Sequence, residues 1–138
     1  MGRVSRTFKL RLSPAGMDVL IAAHCRLIHA TRQLLPWGTT LHAAVAYLDS
    51  LSPDQIVAGL DRIAIAGLCG AEVHYLGAPS TLNDVASRIA ARVVAASACR
   101  PAPSLLQIYI LALDAFVAAE MQALRLSYRR IASEASRR

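Results

Sequence analysis

A chain of 138 residues, 55% of them hydrophobic, is long enough for one domain with a modest core and too apolar to be a disordered tail. The net charge is +6, although only 17% of residues are charged, so the basic excess comes from arginines outnumbering acids rather than from a polybasic tract. That balance permits nucleic-acid binding without requiring it.

The first readable element is Arg3–Leu12. On an extended chain Thr7, Lys9 and Arg11 point one way and Phe8, Leu10 and Leu12 the other. The spacing predicts a strand with an apolar face for a core and a basic face turned away from it. Such a strand suits the major groove of DNA, which admits a two-stranded ribbon. The plainer reading is an edge strand whose cations discourage pairing.

Ser13-Pro14 reads as a helix start, with Ser as N-cap and Pro at the first helical position. Met17, Leu20, Ile21, His24, Leu27 and Ile28 form the face of a helix ending near Gln33. After the break at Leu35–Gly38, Thr39 or Thr40 is expected to cap a second helix with Leu41, Val45, Leu48 and Leu51 on its face. Ser52-Pro53-Asp54 opens a third, running to about Leu68 with Ile56, Leu60, Ile63 and Ile65 as apolar positions. Glu72–Leu76 then alternates, with Val73 and Tyr75 on one side and Glu72, His74 and Leu76 on the other, before Gly77-Ala78-Pro79 breaks the strand. Thr81 with Asp84 fits a capping box ahead of Leu82, Val85, Ala86, Ile89 and Val93. Following Arg100–Pro103, Ser104 caps a helix with Leu106, Ile110, Leu113 and Val117, continuing through Met121 and Leu124. Arg125–Arg138, with five arginines and one acid, is expected to fray.

The two halves align without a gap at an offset of about 65 residues. Phe8 falls on Val73, Pro14 on Pro79, Leu20 on Val85, Pro36 on Pro101, Leu48 on Leu113 and Asp49 on Asp114. Stretches of an Ala/Leu-rich chain can slide into partial agreement by accident. One shift that aligns strand, break, helix, break and helix instead indicates an internal duplication. A single strand-helix-helix unit cannot bury itself. Two units can pair their strands into an antiparallel ribbon and share a four-helix core.

This order resembles the ribbon-helix-helix family of DNA-binding proteins over Arg6–Leu51 and Glu72 to about Val117. Carried on one chain, it is similar to the fused members that assist plasmid and T-DNA transfer. The predicted fold class is therefore mostly α with a two-stranded antiparallel ribbon, a tandem ribbon-helix-helix. The halves are residues 5–51 and 71–124, joined by a linker helix at 52–70 and followed by a basic tail at 125–138. The resemblance implies base contacts from Thr7, Lys9 and Arg11 and, in the second half, from the side bearing Glu72, His74 and Leu76, with His74 the candidate. It implies phosphate contacts from Arg3 and Arg6 and from the starts of the second helices, at Gly38, Thr39 and Thr40 and at Pro103 and Ser104, where free N–H groups and the helix dipole favour an anion. Glu72 is acidic, Leu76 apolar, and Pro103 has no N–H, so the halves are unequal and a palindromic site is not expected. The implied partners are double-stranded DNA and a relaxase or another DNA-transfer protein. The implied state is a monomer with internal two-fold symmetry, and the implied role is DNA processing or transcriptional control.

Other chemistry has little support. His24, Cys25 and His29 lie close on one helix but lack the further ligands of a soft-metal site. No nucleophile elbow, phosphate loop or carboxylate pair appears, so neither an enzyme nor a cofactor is expected. Cys25, Cys69 and Cys99 are unpaired in spacing and fit a reducing, cytoplasmic setting. No signal peptide is expected, because Arg and Lys interrupt the N-terminus and no apolar stretch follows, and no membrane span, because the longest uncharged runs, Gln33–Leu48 and Pro101–Leu113, are under about 18 residues and contain proline. The competing functional reading is a helical protein–protein adaptor, with Trp37 as contact surface and the arginines as a solvated face.

Overall fold

The computed structural model describes residues 5–62, 65–97 and 100–136. Among them the order is β1 (Ser5–Leu12), α1 (Pro14–Thr31), α2 (Trp37–Ser50), α3 (Pro53–Arg62), α4 (Ile65–Leu68), β2 (Glu72–Pro79), α5 (Leu82–Ala96), α6 (Leu105–Ala118) and α7 (Met121–Ser136). The protein is mostly helical, with one two-stranded antiparallel sheet. Ile63, expected on the third helix, and Cys99 and Arg3 lie outside the described residues.

β1 and β2 pair along their whole length, from Ser5 opposite Pro79 to Leu12 opposite Glu72. The inner side carries Phe8, Leu10, Leu12, Leu76 and Ala78, all buried. Behind it α1, α2, α5 and α6 close the core through Leu20, Leu27, Leu41, Leu48, Ile89, Ile110, Leu113 and Phe116, each at most 2% exposed. Ser13 caps α1 as expected, accepting from the Gly16 N–H at 3.1 Å. Its own N–H and hydroxyl reach the Leu68 and Gly67 carbonyls, which fastens the linker to the end of β1.

Strand and helix burial both recur along the chain, but not at an offset of 65. In α1 the buried Gly16, Leu20, Ala23 and Leu27 are matched in α5 by Leu82, Ala86, Ile89 and Val93, each 66 residues later. In α2 the buried Leu41, Ala44, Val45 and Leu48 are matched in α6 by Tyr109, Ala112, Leu113 and Phe116, each 68 later. Directly paired strand residues share a face, so an odd offset would carry the inward Phe8 onto the outward Val73. The proline matches that suggested 65 are not equivalent positions. Pro14 opens α1, whereas Pro79 ends β2, where the missing N–H is tolerated on a two-stranded ribbon. The extra displacement of α6 comes from the longer connection 97–104, compared with 32–36 in the first half.

Two arginines 66 residues apart hold the halves together reciprocally. The Arg26 guanidinium on α1 donates to the Phe116 and Val117 carbonyls at the end of α6. Arg92 on α5 donates to the Asp49 and Leu51 carbonyls at the end of α2, at 3.0 and 2.7 Å, and to the Asp49 carboxylate at 3.1 Å. Each supplies a cation and donors to the last turn of the other half's second helix, where carbonyls lack intrahelical partners.

Several local expectations fail, beginning with the helix through Leu106 and Leu113, which stops at Ala118 instead of continuing through Met121 and Leu124. Thr81 sits in helical backbone and makes no side-chain cap, so the Thr81–Asp84 capping box does not form. β2 does not break at Gly77 but runs through Pro79. Arg125, Arg129 and Arg130 do not lie in a frayed tail, while Arg137 and Arg138 lie outside the described residues. Residues 121–136 make α7, which buries Leu124, Ser127 and Ile131 against α1 and α2. Arg125 Nε donates to the Ala30 carbonyl at 3.1 Å and the Tyr128 hydroxyl to Gln33 Oε1 at 3.1 Å.

Leu48 and Leu113 occupy packed positions on the two second helices. Leu48→Ala and Leu113→Ala are each expected to lower unfolding stability by about 2–5 kcal/mol, measurable as a shifted urea midpoint with an unchanged slope.

Candidate nucleic-acid interface

The sheet has one covered face and one open face. From β1 the open face presents Thr7, Lys9 and Arg11, all exposed as expected. From β2 it presents their direct partners Gly77, Tyr75 and Val73. The central pair is Lys9 and Tyr75, and the Tyr75 side chain is 65% exposed. One strand thus contributes a hydroxyl and two cations, and the other an aromatic ring, a branched aliphatic and a bare backbone.

His74 is not on this face. It pairs with Leu10 on the inner side, half-buried, with Nε2 3.5 Å from Glu72 Oε1. Leu76 is a core residue and Glu72 lies at the inner-face end of the ribbon opposite Leu12. The phase of β2 is therefore inverted relative to expectation, and Tyr75 replaces His74 as the counterpart of Lys9. The missed signal was Ala78: with β2 extended to Pro79, Leu76 and Ala78 make the small apolar pair that faces the helices.

Arg6 also leaves the strand on the helix side. It remains exposed, with its guanidinium carbon 5.2 Å from the Phe8 ring centroid, a cation–π arrangement. Tyr109 meets the other side of this cluster edge-on, 5.9 Å from Phe8. Its hydroxyl donates to Asn83 Oδ1. Burial pushes its pKa up to about 12, against the opposing pull of Arg6.

The start of α2 is pressed against the ribbon. A Cβ on Gly38 would lie 1.6 Å from the Gly77 carbonyl oxygen, so a glycine at 38 is needed for the backbones to meet, whereas a Cβ on Gly77 would meet nothing within 4 Å. Neither threonine caps the helix as expected. The N-cap is Pro36, without a side-chain bond, and the Thr39 N–H donates to the Pro36 carbonyl at 3.0 Å. Thr40 is fully buried, its hydroxyl 2.7 Å from His24 Nδ1, while Trp37 stacks on the His24 ring at a centroid distance of 3.9 Å. Thr40 is thus committed to the core, and of the three positions assigned to phosphate on this helix only Thr39 keeps an accessible side chain. At the start of α6, Ser104 forms a reciprocal capping box with Gln107, at 3.1 and 2.8 Å, which already engages the Ser104 amide and hydroxyl.

A groove of about 580 Å³ runs beside the α2 start, bordered by Gly38 and Thr39, by Gly77–Pro79 of the ribbon and by Tyr128 and Ile131 of α7. Among the described residues no cluster of His, Cys, Asp or Glu could hold a metal, and no helix is long and apolar enough to cross a membrane. Comparisons with protein-family models, curated proteins and solved structures find no match.

Two outcomes follow from this geometry. Gly38→Ala forces backbone against backbone and is expected to cost about 1–3 kcal/mol or more, read as a lowered melting temperature. Burial lowers the His24 pKa below 6.5. The unfolded chain therefore binds the proton first as pH falls, and the His24 contribution, complete above about pH 6.5, is lost on acidification through the lower folded value. The melting temperature of the parent should fall more steeply than that of His24→Gln when pH is lowered from about 7.5 to about 5.

Proposed function

We propose that this chain is a DNA-binding protein that lays its β1–β2 ribbon in the major groove, as a single-chain tandem ribbon-helix-helix. The observation that carries the reading is the open ribbon face, on which Thr7, Lys9 and Arg11 are exposed above a strand whose opposite side is buried core. Burial offsets of 66 and 68 and the reciprocal Arg26 and Arg92 contacts support two related halves closed within one chain. A net charge of +6 favours a polyanionic partner.

Under this reading the roles along the ribbon divide by strand. Arg11 has the fork geometry that matches the two acceptors on the major-groove edge of guanine, and Lys9 reaches a base or phosphate. Tyr75 and Val73 offer apolar contact of the kind that suits a thymine methyl. A ribbon that is cationic on one strand and apolar on the other reads a non-palindromic site. The biological setting suggested by the resemblance is plasmid or T-DNA processing beside a relaxase, with transcriptional control as the alternative outcome.

Lys9→Ala and Arg11→Ala are expected to weaken binding to duplex DNA without lowering the melting temperature, since both side chains stand outside the core. Arg11→Ala should cost about 1–3 kcal/mol and relax preference at one base position, while a phosphate-bound Lys9 would be lost as a salt slope shallower by about one. Tyr75→Ala should reduce preference at a position other than that of Arg11. Fluorescence anisotropy with labelled duplexes at two salt concentrations checks all three. Parent-like binding by folded Lys9→Ala and Arg11→Ala proteins would favour the adaptor reading instead.

A further inference from the structure

Helix α7 follows α6 as α3 follows α2, with its buried Leu124 and Ser127 lying 68 residues after the buried Ile56 and Gly59 of α3, and it is the longer of the two. It packs along the end of α1, and a cleft of about 360 Å³ between them is lined by Ala30, Thr31, Gln33, Arg125, Tyr128 and Arg129. Arg32, the C-cap of α1, lines an adjoining groove with Ile28, His29 and Leu34, and Gln33 borders both, so Arg32 stands across Gln33 from Arg125 and Arg129. Arg32, Arg125 and Arg129 are all exposed.

Their electrostatic situation differs from that of the arginines around α5. There, Arg88 and Arg92 share Asp49, and Arg100 pairs with Asp61. No acidic side chain lies within ion-pair distance of Arg32, Arg125 or Arg129 among the described residues. Arg125 is fixed through its Nε bond to the Ala30 carbonyl, which leaves the terminal nitrogens of its fork uncommitted. Arg32 adopts φ 57° and ψ 35°, the only positive φ at a non-glycine among the described residues. Glycine or asparagine is the usual residue at that helix-ending position, so an arginine there carries a backbone cost that glycine would avoid.

The cluster also lies on a defined flank of the ribbon. The connection that begins at Arg32 runs directly into α2, whose Gly38 abuts Gly77. Tyr128 borders both the arginine cleft and the groove that reaches Gly77–Pro79. Positive charge is therefore unneutralised on one side of the ribbon and largely neutralised by Asp49 and Asp61 around α5.

We infer that Arg32, Arg125 and Arg129 form a phosphate-binding patch that grips the backbone of the same DNA duplex on one flank of the ribbon, so that the protein's footprint extends further on that side. This inference rests on the ribbon reading and adds a contact surface outside the strand-helix-helix units. Each arginine that neutralises a phosphate releases condensed counterions, so removing one should make the slope of log affinity against log salt shallower by about 0.9.

The test uses Arg32→Gly, Arg129→Ala and the double variant of the whole chain, with Arg125 left intact because it holds α7 to α1. Binding to a random-sequence duplex is measured across salt concentrations, and hydroxyl-radical footprinting is done on a selected site. The double variant is expected to lose about 1.8 from the slope and to lose backbone protection on one flank only. Arg32→Gly should melt no lower than the parent, because glycine suits the left-handed backbone, which separates lost binding from lost folding. An unchanged slope and an unchanged footprint, with Lys9→Ala still weakening binding, would overturn the patch and leave the ribbon reading standing. Absence of salt-dependent duplex binding by the parent chain would overturn both.

Discussion

The pairing of β1 with β2 is the constraint on which the rest of the structure depends. Among the described residues neither strand pairs with a third strand, apart from an isolated bridge between Leu12 and Cys69, and a two-stranded ribbon is marginal in water without a covered face. The cover is supplied by helices from both sides of the linker, so the ribbon forms only when residues before and after the linker have come together. Closing so long a loop costs chain entropy that grows slowly with length. The return is a shared core reaching from Phe8 and Leu10 to Leu113 and Phe116. Arg26 and Arg92 secure the same closure from the helix side, each at the carbonyl end of a helix from the other half. The Gly38–Gly77 contact then sets how closely α2 lies beside the ribbon.

Much of this was legible in the sequence because local periodicity and tertiary burial agree there. The strict alternation of Thr7–Leu12, the Ser13-Pro14 start and the burial of Leu20, Leu48, Ile89 and Leu113 appear as read, while Ile21, expected on the face of α1, is 40% exposed. The failures lie where local pattern leaves two solutions open. Glu72–Leu76 offers apolar residues on both sides, and only pairing with β1 decides that Leu76 faces in while Tyr75 faces out. Thr39 and Thr40 have good capping chemistry, but Thr40 is taken by His24 beneath the Trp37 ring, a contact between residues 16 apart that no local rule anticipates. Leu124, Ser127 and Ile131 do carry a helical spacing. The arginines among them give the segment the composition of a solvated tail, although the same spacing carries the buried stripe of α7.

The corrected phase of β2 changes the functional picture more than it changes the fold. With His74 directed inward, the open face has no imidazole from β2, and its two strands are chemically unlike. Behind the ribbon the connection 97–104 is longer than 32–36, and α7 after α6 is longer than α3 after α2. Taken with the proposed DNA reading, these asymmetries favour a site with distinct left and right sides.

The central claim is that the open ribbon face meets the duplex. Titrating the isotope-labelled chain with duplex DNA and following backbone amide resonances tests it most directly. The account predicts that the largest shifts fall on Thr7, Lys9, Arg11, Val73, Tyr75 and Gly77, with smaller changes near the start of α2 and little change in the core of α6. Shifts confined to other helix surfaces, with those six amides unmoved at saturation, would contradict it.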